Sequence, residues 1–251
     1  MNHTGNAPFS EIAQPPQRLS VELTGVSLWL ATLAQPEAVI AQWRTWLTPE
    51  ELRRADHLAR PALRPRAVAV RALLRGVLAQ ALGMSPAALR FQTDAHGRPS
   101  LAPSLANGAI RDFNLSHSGD GLLIGMLHHT APPSHQRIGV DMESLQRSRD
   151  TARLSPRVLS ANEQRTMAGL SREEHQRRFL RYWVLKEAFS KAVGAGFSLG
   201  FDAMDFDIDA DATVPLIRAL PEPHRPEDWT LRYLPVDPLF VAAVAVQESE
   251  S

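Results

Sequence analysis

The sequence predicts an α+β fold in which two similar α+β subdomains are related by a pseudo-two-fold duplication. Each half of the chain contains a strand-like segment, then a helix start with capping residues, then a long helical segment. Corresponding segments lie 112 residues apart, as Val26 and Ile138 illustrate. Because ligands favour the interface between such halves, we expect the functional site there. The alternative is that an α+β chain of this size divides into similar pieces by chance.

Three regions are predicted along the chain. Residues 1–20 contain three prolines and little periodicity, which indicates a loose N-terminal arm. The N-terminal subdomain is predicted to span residues 21–133, and the C-terminal subdomain residues 134–251. The two subdomains are predicted to join near Ala131–Ser134, where two prolines are adjacent.

The elements of the first half follow from capping residues and hydrophobic periodicity. Thr48 is predicted to cap a helix that has Pro49 at its first position. A long helix is predicted over Arg66–Leu82. Strands are predicted at Val26–Leu30, Leu89–Gln92 and Leu122–Leu127.

The second half repeats this order. Leu159–Glu163 has the composition of a helix start, and a long helix is predicted over Arg178–Val193. Strands are predicted at Ile138–Met142, Met204–Ile208 and Phe240–Val246.

The composition excludes several classes of function. The chain has no cysteine, which rules out disulfides, zinc–thiolate sites and thiol catalysis. Its formal net charge is zero, so no global field attracts it to nucleic acid or to a membrane. The sequence shows neither a signal peptide nor an apolar run of membrane-spanning length. We therefore expect a cytoplasmic enzyme or binding protein.

Two acidic segments predict a metal site. Asp141 and Glu143 lie two residues apart in a predicted strand and therefore project from one face. Glu187 and Lys191 lie one helical turn apart. If the two segments meet, three carboxylates converge beside a lysine, an arrangement that suits a hard divalent cation shared with a phosphate. The alternative is a solvated pair of strand carboxylates and a surface i,i+4 ion pair on the helix.

The first half supplies positive charge that suits phosphate. Arginine binds phosphate oxygens with two parallel hydrogen bonds. Among the seven arginines of residues 53–75, Arg66 and Arg75 lie on the long apolar helix and are the better candidates for inward roles. The other five fit a solvated helix face equally well. Seven arginines fall within a short stretch: Arg53, Arg54, Arg60, Arg64, Arg66, Arg71 and Arg75.

Two further segments are candidate ligand contacts. Gly97–Pro99 reads as a rigid turn that would hold Arg98 beside a ligand, although turn formation alone explains the glycine and proline. Phe113–Ser118 alternates like a strand. His117 near its end is a candidate hydrogen-bond donor to a phosphate, or else a local hydrogen-bonding residue.

Together these segments resemble the 4′-phosphopantetheinyl transferases of the surfactin-synthetase (Sfp) type. That family has a Gly-Lys-Pro turn, an Asn-x-Ser-His-Ser strand, Gly-x-Asp-x-Glu, and Trp-x-x-Lys-Glu-x-x-x-Lys, in that order. The resemblance extends from about Thr48 to Asp207 and includes the family's two-fold pseudo-repeat. The corresponding segments here are Gly97–Pro99, Asn114–Ser118, Gly139–Glu143 and Trp183–Lys191.

The resemblance implies a reaction. The family transfers the phosphopantetheine arm of coenzyme A to a serine hydroxyl of an apo acyl or peptidyl carrier protein, releases adenosine 3′,5′-bisphosphate and requires Mg2+. By resemblance, Asp141, Glu143 and Glu187 would hold Mg2+, and Glu187 would also take the proton from the carrier serine. Lys191 would neutralise charge on the pyrophosphate and leaving group. Such activity belongs to carrier-protein activation, including secondary metabolite biosynthesis.

The resemblance also implies how coenzyme A is held, with one departure from the family pattern. The family's turn lysine is Arg98 here, which keeps the charge but replaces a compact ammonium with a planar guanidinium. The residues implied in coenzyme A binding are Arg54, Arg66, Arg98, Ser116, His117 and Lys191.

Other functions remain open at this point. A carboxylate-metal phosphohydrolase or nuclease would use the same acids and arginines, and a binding module would use the basic face alone. The leading hypothesis predicts a monomer with coenzyme A and a carrier protein as partners, without nucleic acid or membrane. Carriers of fatty-acid, polyketide and nonribosomal-peptide synthesis are all compatible with these motifs.

Overall fold

The protein has a mixed helix and sheet fold, as the sequence predicts. Of the predicted junction, only Ala131 lies among the described residues. The computed structural model describes residues 8–9, 12, 14–94, 97–105, 108–131, 135–147, 150–208 and 212–248.

In the first half, two strands precede the three helices along the chain and four strands follow them. The helices are α1 (Glu37–Arg44), α2 (Pro49–Asp56) and α3 (Arg64–Leu82). The strands are β1 (Gln17–Leu19), β2 (Val26–Thr32), β3 (Phe91–Thr93), β4 (Pro99–Leu101), β5 (Ile110–Ser118) and β6 (Gly121–His128).

The second half has a similar order of elements. The helices are α4 (Thr151–Val158), α5 (Ala161–Thr166) and α6 (Arg172–Val193). The strands are β7 (His135–Ser144), β8 (Asp205–Asp207), β9 (Leu216–Ala219), β10 (Trp229–Tyr233) and β11 (Phe240–Glu248).

Each half contributes one larger antiparallel sheet. The first has the strand order β1-β2-β6-β5 and the second the order β10-β11-β7. Apolar side chains from both sheets form a shared core, in which Leu28 and Leu123 of the first sheet join Val140 and Val244 of the second. The long helices pack outside, α3 over the first sheet and α6 against β7 and β11.

The predicted helix starts are confirmed by their capping geometry. The Thr48 hydroxyl accepts from the Glu51 N–H at the start of α2, and the Glu51 side chain accepts from the Thr48 N–H. Ser160 and Glu163 form the same reciprocal pair before α5. Such capping boxes satisfy two backbone donors that a helix leaves without partners.

Several boundaries differ from the prediction for local reasons. Helix α6 begins at Arg172 rather than Arg178, because Ser171 and Glu174 form a further capping box ahead of a polar first turn. Strand β3 begins at Phe91 rather than Leu89, since the Leu89 carbonyl accepts from the Arg75 guanidinium instead of a neighbouring strand.

The N-terminal segment differs from the expected loose arm in its described part. Phe9 and Ile12 are each only 8% exposed and belong to the first core. A Cβ on Gly76 would lie 2.3 Å from Cζ of Phe9, so the glycine makes room for the ring against α3. Strand β1 then pairs with β2. The segment is therefore anchored by apolar burial that its proline content does not reveal.

No helix among the described residues is both long and apolar enough to cross a bilayer.

Candidate active site

Close packing of β7 on α6 brings the two acidic segments together. A Cβ on Gly139 would lie 2.0 Å from the Ala188 carbonyl oxygen and 2.5 Å from the Ala192 nitrogen. Only glycine leaves space for this approach, which explains the residue ahead of the strand acids. Two residues further along β7, Asp141 therefore reaches the last turn of α6, where Lys191 stands.

Asp141, Lys191 and Ser116 form the centre of the site. The Lys191 ammonium donates to Asp141 Oδ1 at 2.6 Å and to the Ser116 hydroxyl oxygen at 3.0 Å. The Ser116 hydroxyl donates to the same Oδ1 at 2.7 Å. Asp141 is 3% exposed, and its other oxygen, Oδ2, is buried without a hydrogen-bond partner. A buried carboxylate oxygen without a donor is costly, so it marks a position suited to a cation.

Side chains of β5 connect the two sheets by reaching the open edge of β7. Asn114 Oδ1 accepts from the Val140 N–H at 3.1 Å. The Ser118 hydroxyl accepts from the Ser144 N–H at 3.0 Å and donates to Glu143 Oε2 at 2.7 Å. These contacts cover the backbone donors that an edge strand would expose.

The alternation of β5 explains the spacing of its polar residues. Side chains two residues apart point the same way in a strand, so Asn114, Ser116 and Ser118 all face β7. The intervening His117 faces the opposite side, where it lines a cavity. One strand thus supports the acidic site on one face and contributes to a basic cavity on the other.

The predicted convergence of three carboxylates is not seen in the structure. Asp141 and Glu143 stand together on β7, each held by a serine of β5, while Glu187 lies half-buried on α6 one turn before Lys191. Among the described residues, no three His, Asp or Glu side chains form a metal-binding group. The cation that Asp141 Oδ1 contacts in the structure is the Lys191 ammonium.

The predicted phosphate contacts Arg54, Arg66 and His117 meet at one cavity of about 400 Å³. Its lining is largely apolar and also includes the charged side chains of Arg71 and Glu51. Arg54 pairs with Glu50, and Arg66 pairs with Asp120 and donates to the Gly119 carbonyl. The apolar walls come from Leu33, Ala55, Leu58, Leu63, Ala67 and Val70.

His117 lies in an environment that disfavours its charged form. Burial lowers the pKa of the imidazole below its usual 6.5, and the charges of Lys191, Arg66 and Arg147 lower it further. His117 directly follows Ser116, which contacts Asp141 and Lys191, so one strand links the cavity to that pair. An anion bound here would have the opposite effect and raise the pKa of His117.

Arg71 is a cavity residue that the sequence did not single out from its neighbours. It lines the same cavity, and its nearest acidic partner is Glu51 at 4.0 Å. Burial lowers the pKa of its guanidinium, with the charges of Arg54 and Arg75 adding to this effect and that of Glu51 opposing it. Arg71 lies five residues after Arg66, whereas residues on one helix face are three or four apart. The sequence therefore did not place Arg71 beside Arg66, and the fold does.

Neither Arg98 nor Arg75 is among the residues that line the cavity. Arg98 does not line the cavity; its side chain is 15% exposed and is surrounded by protein acceptors. Arg75 does point inward, as predicted, but its guanidinium binds Glu51 and the carbonyls of Pro86 and Leu89. Its role is therefore to join α3 to α2 and to the loop before β3.

Lys186 forms a buried ion pair with Glu163, which the sequence did not reveal. Both side chains are completely buried. Beyond Glu163, the ammonium donates to three backbone carbonyls, those of Val158, Phe201 and Met204. Glu163 in turn accepts from the Phe206 N–H. The pair connects α5, α6 and β8.

Comparisons with known proteins agree on one family. A family model described as the 4′-phosphopantetheinyl transferase superfamily matches residues 137–245. The 4′-phosphopantetheinyl transferase HetI of Nostoc sp. is 32% identical over 232 residues, which cover 92% of this chain and 91% of that protein. The 4′-phosphopantetheinyl transferase Sfp of Bacillus subtilis is 27% identical over 172 residues, covering 68% of this chain and 69% of that protein.

A solved structure gives a partial match. It is a holo-(acyl-carrier-protein) synthase from Bacillus anthracis, in complex with coenzyme A, with 26% identity and a TM-score of 0.39. The match covers 46% of this chain and 98% of the synthase.

Proposed function

Because this chain belongs to the 4′-phosphopantetheinyl transferase superfamily, we propose that it transfers the phosphopantetheine arm of coenzyme A to a serine hydroxyl of an apo carrier protein. The released product is adenosine 3′,5′-bisphosphate. The observation that carries this proposal is the Asp141–Lys191–Ser116 cluster with its unpaired buried oxygen, beside a cavity lined with arginines. The relatives suggest an enzyme of the Sfp type.

We assign Asp141, Glu143 and Glu187 to Mg2+; among the described residues the three side chains do not form one group, and they would come together around the bound ion. Their carboxylate oxygens are the donors that a hard divalent cation prefers, and the unpaired Asp141 Oδ2 fits such an ion. When bound, Mg2+ would neutralise charge on the pyrophosphate of coenzyme A. The serines of β5 hold one oxygen each of Asp141 and Glu143, which orients both carboxylates.

The protein's own groups have distinct roles in the transfer. The Lys191 ammonium neutralises the negative charge that grows on the leaving phosphate as its bond to the pantetheine phosphate breaks. The Glu187 carboxylate accepts the proton of the attacking serine hydroxyl, directly or through water. Phosphoryl transfer needs alignment and charge neutralisation more than covalent help from the protein, which fits a site of fixed charges.

The cavity beside this cluster suits the adenosine end of coenzyme A. Arg54, Arg66 and His117 supply donors for the 3′-phosphate, and the apolar walls suit a flat base. Arg71 adds a third guanidinium at the same place. Arg98 is outside the cavity and is not assigned a phosphate contact here.

His117→Gln is expected to raise the KM for coenzyme A about tenfold, because a hydrogen bond to a charged group is worth about 1.5 kcal/mol or more. The lowered pKa leaves His117 neutral at neutral pH, and a bound phosphate favours its protonated form. Binding therefore takes up a proton, so the wild-type KM for coenzyme A should fall as the pH is lowered from about 8 to about 6.

The control for this prediction is dephospho-coenzyme A, which lacks the 3′-phosphate. Initial rates with both substrates across this pH range should show that His117→Gln changes the KM for coenzyme A alone. Equal losses with both substrates would remove His117 from the phosphate site.

Product release tests the proposed function against a hydrolase. Adenosine 3′,5′-bisphosphate should form from coenzyme A and Mg2+ only when an apo carrier protein is present, and Glu187→Gln should abolish its formation. A carrier whose target serine is replaced by alanine is the matched control. Product without a carrier would instead indicate a phosphohydrolase.

The remaining expectations from the sequence stay proposals. The strand order β2-β6-β5 of the first half corresponds to β7-β11-β10 of the second, which supports a duplication with the active site between the copies. A cytoplasmic monomer is the form we propose.

A further inference from the structure

Arg98 contacts the element that carries Lys191. Its Nη1 donates to the carbonyl oxygens of Lys191 and Ala192, the latter at 3.3 Å. These carbonyls belong to the last turn of α6, where the helix has no further backbone donors to offer them. A guanidinium at this end also interacts favourably with the helix dipole. Arg98 thus holds the turn from which the Lys191 side chain extends.

The other side of the guanidinium is bound to strands β5 and β7. Nη2 of Arg98 donates to Asp112 Oδ2 at 2.6 Å and to the Ile138 carbonyl at 2.9 Å. The same Asp112 oxygen accepts from the Ile138 N–H at 2.9 Å. Burial raises the pKa of Asp112, while the charge of Arg98 opposes that shift, so the ionised carboxylate depends on its partner.

We propose that Arg98 is a positioning residue that fixes the end of α6 against β7, so that the Lys191 ammonium stays on Asp141 and Ser116. This role rests on the proposed function and replaces a phosphate contact for this side chain. It also accounts for arginine at the turn position. A planar fork reaches the helix carbonyls and the Asp112 carboxylate together, whereas a lysine ammonium is one point of contact on a flexible stem.

Arg98→Lys distinguishes positioning from ligand binding because it keeps the charge. We expect kcat to fall about tenfold to a hundredfold, the range in which supporting contacts act. The KM for coenzyme A, and the preference for coenzyme A over dephospho-coenzyme A, should stay unchanged. A raised KM with loss of that preference would overturn the proposal in favour of a phosphate contact, and an unchanged kcat would also overturn it.

Two controls separate positioning from a general loss of folded protein. Arg75→Lys alters a similar guanidinium that binds one carboxylate and two carbonyls. None of these partners belongs to α6, the helix that carries Lys191. It should reduce the unfolding temperature while leaving kcat per folded molecule intact. The stoichiometry of coenzyme A binding, measured by titration calorimetry, gives the folded fraction of each variant. A similar kcat loss in Arg75→Lys would overturn the specific role of Arg98.

A measurement without turnover keeps this proposal separate from the proposed function. Hydrogen exchange of the backbone amides from Ala188 to Gly194 should accelerate in Arg98→Lys and in Asp112→Asn, with no comparable change in Arg75→Lys. If wild-type protein modified no carrier, the proposed function would fail while this exchange still reported on the contact. Unchanged exchange in both variants would show that Arg98 does not hold the end of α6.

Discussion

Lys191→Ala is expected to lower kcat by a factor of about 10²–10³, with a much smaller change in the KM for coenzyme A. Removing one preorganised donor at a developing negative charge typically has an effect of this size. The ammonium is held by Asp141 and Ser116, so little rearrangement is needed when the charge develops. Pre-steady-state transfer to an apo carrier protein measures the chemical step directly.

Lys191→Arg is the matched control because it retains the charge and changes its shape. It should recover part of the lost rate, since charge neutralisation is the main contribution. A variant Lys191→Ala with normal kcat and a raised KM would contradict the assigned role and make Lys191 a binding residue only.

Lys186→Met is expected to lower the free energy of unfolding by about 3–5 kcal/mol, because it leaves the Glu163 charge buried without its partner. The ammonium also satisfies the carbonyls of Val158, Phe201 and Met204, which would lose a donor. Urea unfolding followed by circular dichroism measures the loss. Because none of these partners of Lys186 is Asp141, Ser116 or Lys191, kcat per folded molecule should change little.

The double variant Lys186→Met, Glu163→Gln tests the reason for that loss. Removing the second charge should restore part of the stability, since the unpaired carboxylate is the main penalty. A single variant that loses less than about 1 kcal/mol would show that the pair contributes as little as a surface ion pair.

The sequence predicted best what depends on local spacing. The helix starts at Thr48 and Ser160 follow from capping residues three positions before a glutamate. The meeting of Asp141 and Lys191 follows from strand and helix periods once their segments pack together. The strand at Phe113–Ser118 was also predicted from its alternation, but Ser116 and His117 were both expected to contact coenzyme A, whereas the structure places them on opposite faces of β5.

Contacts between distant residues could not be predicted from the sequence. Arg98 binds the carbonyl of Lys191, 93 residues away, and a turn motif says nothing about which acceptors lie opposite it. The partner of Lys186 lies on another helix, and the burial of Phe9 depends on space above Gly76. The convergence expected for Glu187 with the strand acids likewise depended on side-chain positions, which periodicity does not fix.

The most direct test of the central claim is the intact mass of an apo carrier protein after incubation with this protein, coenzyme A and Mg2+. The account predicts a gain of one phosphopantetheine, which is lost in Asp141→Asn and in the presence of a chelator. No gain across fatty-acid, polyketide and nonribosomal-peptide carriers, from folded protein that binds coenzyme A, would contradict it.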